Sequence, residues 1–287
     1  MIKEIEPQGS SAIPIYKITV PITGTELVLS TGGEFHYGVK GIDLETIKFI
    51  LKQENTKYKG NIFRLWVGDL IENALKKSIG HNYDIEVPDP EIQKTNMTAA
   101  LIEISKHMYG SNFNKIKTTD SLDGVLQVGC IGNHEYRTRK ESGQWLDKEM
   151  YNPAKILSIG LNGILELTII NKKLKLSRVY KIYLSHRPSS TSATSEDSII
   201  RAIKKKRADV PGCDLYVFGH YHQRIIRPDG YIDSKTGLYK KALLVVAPSP
   251  MYGIEYADVA GYGTHLTGYN VHTYLPLDPI MNPYGIV

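Results

Sequence analysis

Five short clusters of His, Asp, Glu and Asn constrain this chain of 287 residues more than any other feature. They read Gly33-Glu34-Phe35-His36, Gly68-Asp69-Leu70-Ile71-Glu72-Asn73, Gly132-Asn133-His134-Glu135, Ser185-His186 and Gly219-His220-Tyr221-His222. Each stands directly after a run that reads as a β-strand: 26–30, 63–67, 125–130, 179–184 and 215–218. In an α/β sheet the carboxyl ends of strands lie along one edge, so side chains far apart in sequence converge there. The glycine that opens most of the clusters lets the backbone turn tightly at a strand end.

Further expected strands are 15–20, 164–170 and 243–246. Helical periodicity appears over 44–53, with Asp43 as N-cap and Leu44, Ile47 and Leu51 on one face. It recurs over 96–108 and around 153–158, where Pro153 suits a first helical turn. The clearest helix is 195–207, with Glu196 and Asp197 in its first turn and the basic run 204–207 in its last, as the helix dipole favours. That run reads as a solvated helix end. The Ser/Thr-rich stretch 189–195 reads as a mobile loop. Without repeats or linkers, the expectation is one α/β domain over 1–287, with a motif core at about 26–223 and strands from 224–287 completing the sheets.

Composition adds exclusions. Hydrophobic residues at 41% and charged residues at 23% allow a sizeable core and exclude wholesale disorder. A net charge of +5 permits contact with phosphates without announcing it. Two cysteines, Cys130 and Cys213, are too few for a disulfide scaffold, which makes a reduced, cytoplasmic setting the expectation. No apolar run approaches the roughly 20 residues that cross a bilayer, and residues 1–7 lack the apolar core of a signal peptide.

Oxygen and imidazole ligands together suit Mn, Fe or Zn. A carboxylate such as Asp69 is able to bridge two ions roughly 3.5–4 Å apart, the spacing at which both grip one phosphoryl group. His220 and His222 are expected to alternate on an extended segment, with Tyr221 pointing away. A lone His at a strand end is usually a packed core residue. Five ordered clusters, all at strand ends, point to a site.

In this order the motifs resemble the signature of calcineurin-like metallophosphoesterases. The wording is most similar to that of bacteriophage and mobile-element members, in 68–74 with Ser78-Ile79-Gly80, in Gly132-Asn133-His134-Glu135-Tyr136-Arg137, and in a tail that runs from Pro248-Ser249-Pro250 to Tyr256-Ala257. The resemblance implies a four-layer α/β/β/α sandwich with a dinuclear centre. It places Glu34, His36 and His222 on one metal, Asn133, His186 and His220 on the other, and Asp69 between them. It makes His134 a proton donor to the leaving group, Glu72 the residue that orients it, and a metal-held hydroxide the nucleophile. Two divalent ions are implied, with Mn expected and Fe, Zn or Mg as alternatives.

Two departures stand out. Glu34 replaces the usual Asp, and if it still reaches the metal, Glu34→Asp is expected to keep or raise activity. Arg187-Pro188 follows His186, where relatives often have Gly. Arg187, Arg137 and Arg139 are candidates for phosphate contact, since guanidinium binds phosphate bidentately. The stretch 76–123 is a candidate wall of the substrate site. The expected function is hydrolysis of a phosphodiester or phosphomonoester, with DNA, RNA or a nucleotide as candidate substrates. A stand-alone cytoplasmic enzyme is expected, in the host cytoplasm if phage-encoded, with no membrane and no obligate protein partner. The competing readings are a non-catalytic scaffold of the same fold with an impaired first metal site, and a phosphoprotein phosphatase.

Overall fold

The computed structural model describes residues 13–73, 85–117, 122, 124–188, 195–232, 237–251 and 268–285. In chain order the strands are β1 (Ile15–Pro21), β2 (Glu26–Gly32), β3 (Ile62–Trp66), β4 (Gln127–Gly129), β5 (Leu157–Ser158), β6 (Asn162–Asn171), β7 (Leu176–Ser185), β8 (Leu215–Phe218), β9 (Ile225–Ile232), β10 (Tyr239–Val246), β11 (Asn270–Pro276) and β12 (Tyr284–Gly285). The helices are α1 (Leu44–Lys57), α2 (Pro90–Tyr109), α3 (Asn133–Ser142), α4 (Leu146–Tyr151) and α5 (Glu196–Asp209).

The strands form two mixed six-stranded sheets, one ordered β1-β6-β7-β8-β10-β9 and the other β12-β11-β2-β3-β4-β5. Strands β2, β3 and β4 run parallel, so their carboxyl ends share one edge of the second sheet. Strands β7 and β8 run parallel in the first sheet, and their carboxyl ends carry the remaining two clusters.

Burial follows the two-residue alternation of strands. Leu215, Val217, Leu243 and Val245 face a core that also takes Leu27, Leu29, Phe63 and Leu65 from the other sheet. Their neighbours Tyr216, Phe218, Leu244 and Val246 face the opposite way, against Ile199, Ile200 and Ile203 of α5. Trp66 turns outward from the second sheet onto a core with Ile47 and Leu51 of α1, Leu101 and Ile104 of α2, and Leu146 and Met150 of α4.

Several expectations change. The stretch around 153–158 is not helical: α4 ends before it, and Leu157–Ser158 form β5 beside Val128 and Gly129 of β4. Pro153 follows a helix instead of starting one, and Ile156, fully buried, serves the core beneath α4. Helix α2 starts at Pro90, with Asp89 accepting the Glu91 N–H as N-cap, earlier than the periodicity suggests. Much of the presumed substrate wall is this helix, which packs into the core on the outer side of the second sheet. Strand β9 carries Pro228, Asp229 and Gly230 within it and pairs along β10 at the sheet margin, where proline is tolerated. The presumed mobile stretch lies outside the described residues apart from Ser195, whose hydroxyl caps α5. The likenesses at 74, at 78–80 and at 256–257 also lie outside them. Among the described residues no helix is long and apolar enough to cross a membrane.

Candidate metal centre

All five clusters meet. The loops after β2 and β3 run side by side, the Glu34 N–H bonding the Gly68 carbonyl at 2.9 Å and the His36 N–H the Asp69 carbonyl at 3.0 Å. The two sheets join where His186 Nδ1 bonds the Val67 carbonyl at 2.8 Å. Glycine is required at this junction. A Cβ on Gly132 would sit 2.1 Å from the Asp69 backbone nitrogen, and one on Gly219 would sit 2.0 Å from Glu34 Oε1.

The backbone is strained here and hardly elsewhere. Among the described residues eight non-glycines have positive φ, and six of them are Glu34, His36, Asp69, Asn73, His220 and His222. Left-handed φ in such residues costs on the order of 1–3 kcal/mol each and persists where surroundings enforce it. The segment from His220 to His222 is therefore not extended, as the alternation argument had it. Two left-handed residues bring both rings to the centre while Tyr221 is buried between them.

The side chains converge in two groups. In the first, His36 Nε2 and His222 Nε2 face each other at 3.1 Å, and Glu34 Oε2 lies 3.6 and 3.3 Å from them. In the second, His186 Nε2 lies 2.8 Å from Asn133 Oδ1 and 3.2 Å from Asp69 Oδ2, and His220 joins Asp69 and His186 within 4.8 Å. Asp69 Oδ2 also stands 3.9 Å from His36 Nε2. It thus faces both groups, while Oδ1 accepts the His134 backbone N–H at 2.8 Å. These residues suit a divalent cation. Their donors are imidazole, carboxylate and amide oxygen, and Glu34 Oε2 is buried without a hydrogen-bond partner.

Without metal, protons occupy the centre. Burial opposes charge on His36, but Glu34, Glu72 and Asp69 push it up to about 10. Burial also opposes charge on His186, yet Asp69 and Glu34 raise it well above the ordinary value. His220 is pushed down to about 4 by burial and by the His186 charge, and burial lowers His222. Despite burial, the imidazoles around them hold Glu34 and Asp69 far below the usual carboxylate range. Imidazole must be neutral to ligate. Divalent metal binding at pH 7 is therefore expected to release protons from His36 and His186, with affinity rising with pH until His36 loses its proton near 10. Calorimetry in buffers of different ionisation heat measures this, and binding without proton release would overturn the protonated state of His36 and His186 in the metal-free centre.

Glu34 uses its extra methylene. Oε1 accepts the His220 N–H at 2.7 Å and lies 3.2 Å from His186 Nδ1, in the space that Gly219 leaves open. The Ser249 hydroxyl bonds the Glu34 carbonyl at 2.7 Å. The structure thus changes the outlook for Glu34→Asp: the shorter side chain withdraws from a buried N–H, at about 1–3 kcal/mol. That variant is expected to be less stable in urea, and Glu34→Ala to lose metal occupancy as well. Unchanged metal content in Glu34→Ala would remove Glu34 from the ligands.

His134 Nδ1 lies 2.6 Å from the Glu72 carbonyl, so this N–H donates and Nε2 is left to accept from Arg137 Nη2 at 3.2 Å. The Glu72 carboxylate stands 3.3 Å from His134 Nδ1 but 2.9 Å from His36 Nδ1, and these imidazoles hold it down at about 2 despite burial. It thus meets His36 first. His134 also comes within ligand range of His36 and Asp69, but the Arg137 guanidinium at its Nε2 disfavours a cation there. Arg187 is exposed, and Arg139 stacks on Trp145 instead of reaching the centre.

Sequence reasoning gave no role to Glu135, Gln93 or Ser249. Glu135 is almost wholly buried, and its carboxylate accepts the N–H groups of Asp69, Leu70, Ile71 and Gly132 at 3.0, 2.6, 3.3 and 3.1 Å. Burial, with the Asp69 charge, pushes its carboxyl up to about 7, while four donors favour the ionised form. Gln93, fully buried on α2, accepts the Asn73 N–H at 2.8 Å and so secures the end of the second cluster. The available signal for Glu135 was the Gly-x-x-Glu spacing of a helix start.

No protein-family profile matches the sequence. No curated protein matches it. Solved structures to which the chain is similar include a conserved uncharacterized protein of Streptococcus pneumoniae described as a predicted phosphoesterase, at 8% identity over 92% of this chain and 100% of that one, with a TM-score of 0.34. Vps29 of Entamoeba histolytica in complex with zinc is 11% identical over 91% and 98%, with a TM-score of 0.36. A protein of unknown function from Aquifex aeolicus is 15% identical over 68% and 80%, with a TM-score of 0.29. Likeness at this level carries no weight for the site. The side chains do.

A cavity of about 650 Å³ lies between Tyr37, Asp43, Lys48, Asn96 and Glu103, away from the ligand groups. Cavity size therefore does not mark the centre.

Proposed function

We propose that the chain is a calcineurin-like metallophosphoesterase, a single four-layer α/β/β/α domain that hydrolyses phosphodiesters or phosphomonoesters. The observation that carries this reading is that six residues from four other strand ends converge about Asp69, with His134 beside them. In it Glu34, His36 and His222 hold one divalent ion, Asn133, His186 and His220 a second, and Asp69 lies between. Mn is the expected ion at both positions. Such ions supply charge to stabilise a phosphoryl group and acidify water to near neutrality.

The chain's own residues do the rest. Arg137 stands ready to leave His134 Nε2 for a phosphoryl oxygen, since a guanidinium binds phosphate more strongly than a neutral imidazole. Once Arg137 has left, His134 Nε2 is open to take a proton from solvent, with Nδ1–H still held by the Glu72 carbonyl, and to pass that proton to the departing oxygen. The scaffold reading draws only on Glu34, whose carboxylate still reaches the first group of imidazoles.

Purified protein supplied with Mn is expected to hydrolyse bis(4-nitrophenyl) phosphate or a phosphomonoester. EDTA should abolish this activity, and Asp69→Asn should lose both activity and metal. Full metal loading without turnover on any phosphoester, including a phosphoserine peptide, would leave the scaffold.

A further inference from the structure

Helix α3 opens on Asn133 and His134 and then presents Tyr136, Arg137, Arg139 and Lys140 within roughly half of its circumference, all partly or fully exposed. The chain turns back after α3 and lays Trp145 against this face. The Arg139 guanidinium is 3.3 Å from the Trp145 ring centroid and 5.4 Å from that of Tyr136. Lys140 stands 5.2 Å over Tyr136, and Lys148 stands 4.8 Å over Trp145. At the inner end Arg137 touches His134 at 3.2 Å. Cations and rings thus interleave from the candidate centre outward.

Among the described residues, the acids nearest Arg139, Lys140 and Lys148 are turned inward or engaged elsewhere, with one exception. Glu135 and Asp147 are buried, Asp147 taking the Ser158 hydroxyl, and Glu149 pairs with Lys94 at 2.9 Å. Glu141 remains as an exposed carboxylate on α3. A merely solvated basic run leaves each side chain free. Here rings hold Arg139, Lys140 and Lys148, which lowers the entropy they lose on gripping a phosphate.

We propose that this surface binds a single strand of nucleic acid, its phosphates on Arg137, Arg139, Lys140 and Lys148 and its bases against the open parts of Tyr136 and Trp145. This rests on the phosphoesterase reading and names its substrate class. From His134 to Lys140 the helix rises about 9 Å, which is room for more than one phosphate. The candidate ligand Asp69 and the proton donor His134 lie at depth, at 1% and 8% exposure, which favours a flexible strand over a stiff duplex. Cations interleaved with aromatic platforms are the physics of single-strand binding.

The test uses fluorescein-labelled 12-nucleotide thymidine and uridine oligomers and a 12-base-pair duplex, with the full chain in EDTA so that binding is read without cleavage. Anisotropy across a KCl series should show a single-strand oligomer, DNA or RNA, bound more tightly than the duplex. Each phosphate contact contributes about −0.7 to the slope of log K against log salt. Lys140→Ala with Lys148→Ala should flatten that slope by about 1.4 and leave bis(4-nitrophenyl) phosphate hydrolysis with Mn unchanged. Tyr136→Leu should weaken binding about tenfold without changing the slope. A parental slope in the lysine variant, tighter duplex binding, or small-ester turnover with no oligomer binding would overturn the surface. Oligomer binding with the expected slope but no turnover of any ester would support the surface and sink the catalytic reading instead.

Discussion

Glu135→Ala is expected to cost this protein on the order of 4 kcal/mol or more of stability, and with it the candidate centre. Four backbone N–H groups, those of Asp69, Leu70, Ile71 and Gly132, end on this one buried carboxylate. Each buried donor left unpaired costs about 1–3 kcal/mol, and water entering the space left by the side chain recovers part of that. Three of the four donors belong to the loop that carries Asp69, so the fraction still folded should bind metal poorly. Glu135→Gln keeps one carbonyl oxygen but turns an NH₂ toward the same donors, so it should lie between the alanine variant and the parent. Urea denaturation followed by metal titration reads both effects. If Glu135→Ala lies within about 1 kcal/mol of the parent and binds metal normally, the loop is held by something other than this carboxylate.

The placement of Glu135 also shows why the sequence yielded some features readily and hid others. The five clusters were legible because strand ends in an α/β sheet share an edge, and polar residues after apolar runs mark those ends. Strands such as β8 and β10, buried on both faces, stand out as apolar runs. Helix α5 announced itself through three isoleucines and charges suited to its dipole. Helix α3 did not. Its sequence, NHEYRTRKES, has no apolar stripe, because it is held by Glu135 beneath and by stacked cations above. Helix α4 has six residues, too few to establish a period. Strand β9 was masked by Pro228 and Gly230, which sit within it as it pairs along β10.

Within the candidate centre, residue types were legible and their wiring was not. That His36 takes the Glu72 carboxylate, while His134 takes the Glu72 carbonyl, depends on left-handed backbone at Asp69 and Asn73 that composition does not signal. The same holds for Glu34, whose longer side chain reads as a defect until Gly219 and the His220 N–H are seen to receive it.

His134→Asn separates catalysis from metal binding and should carry the largest effect on rate. The substitution leaves the backbone N–H that bonds Asp69 Oδ1 at 2.8 Å, so the ligand loops keep their arrangement. It removes an imidazole whose Nε2 accepts from the Arg137 guanidinium. General acid help is typically worth about 10²–10⁴ in rate, so turnover of esters with alkoxide-like leaving groups should fall by that much. Nitrophenyl esters, whose leaving group needs no proton, should lose far less, and metal content should match the parent. Glu72→Gln should behave differently from a weakened His134 variant. Its carboxylate meets His36 at 2.9 Å, so the first loss should be in metal affinity, with a smaller loss in rate at saturating metal. His36, Asp69 and His134 do come within ligand range of one another. Loss of metal from His134→Asn would therefore make His134 a ligand and leave the leaving group without the proton donor assigned to it.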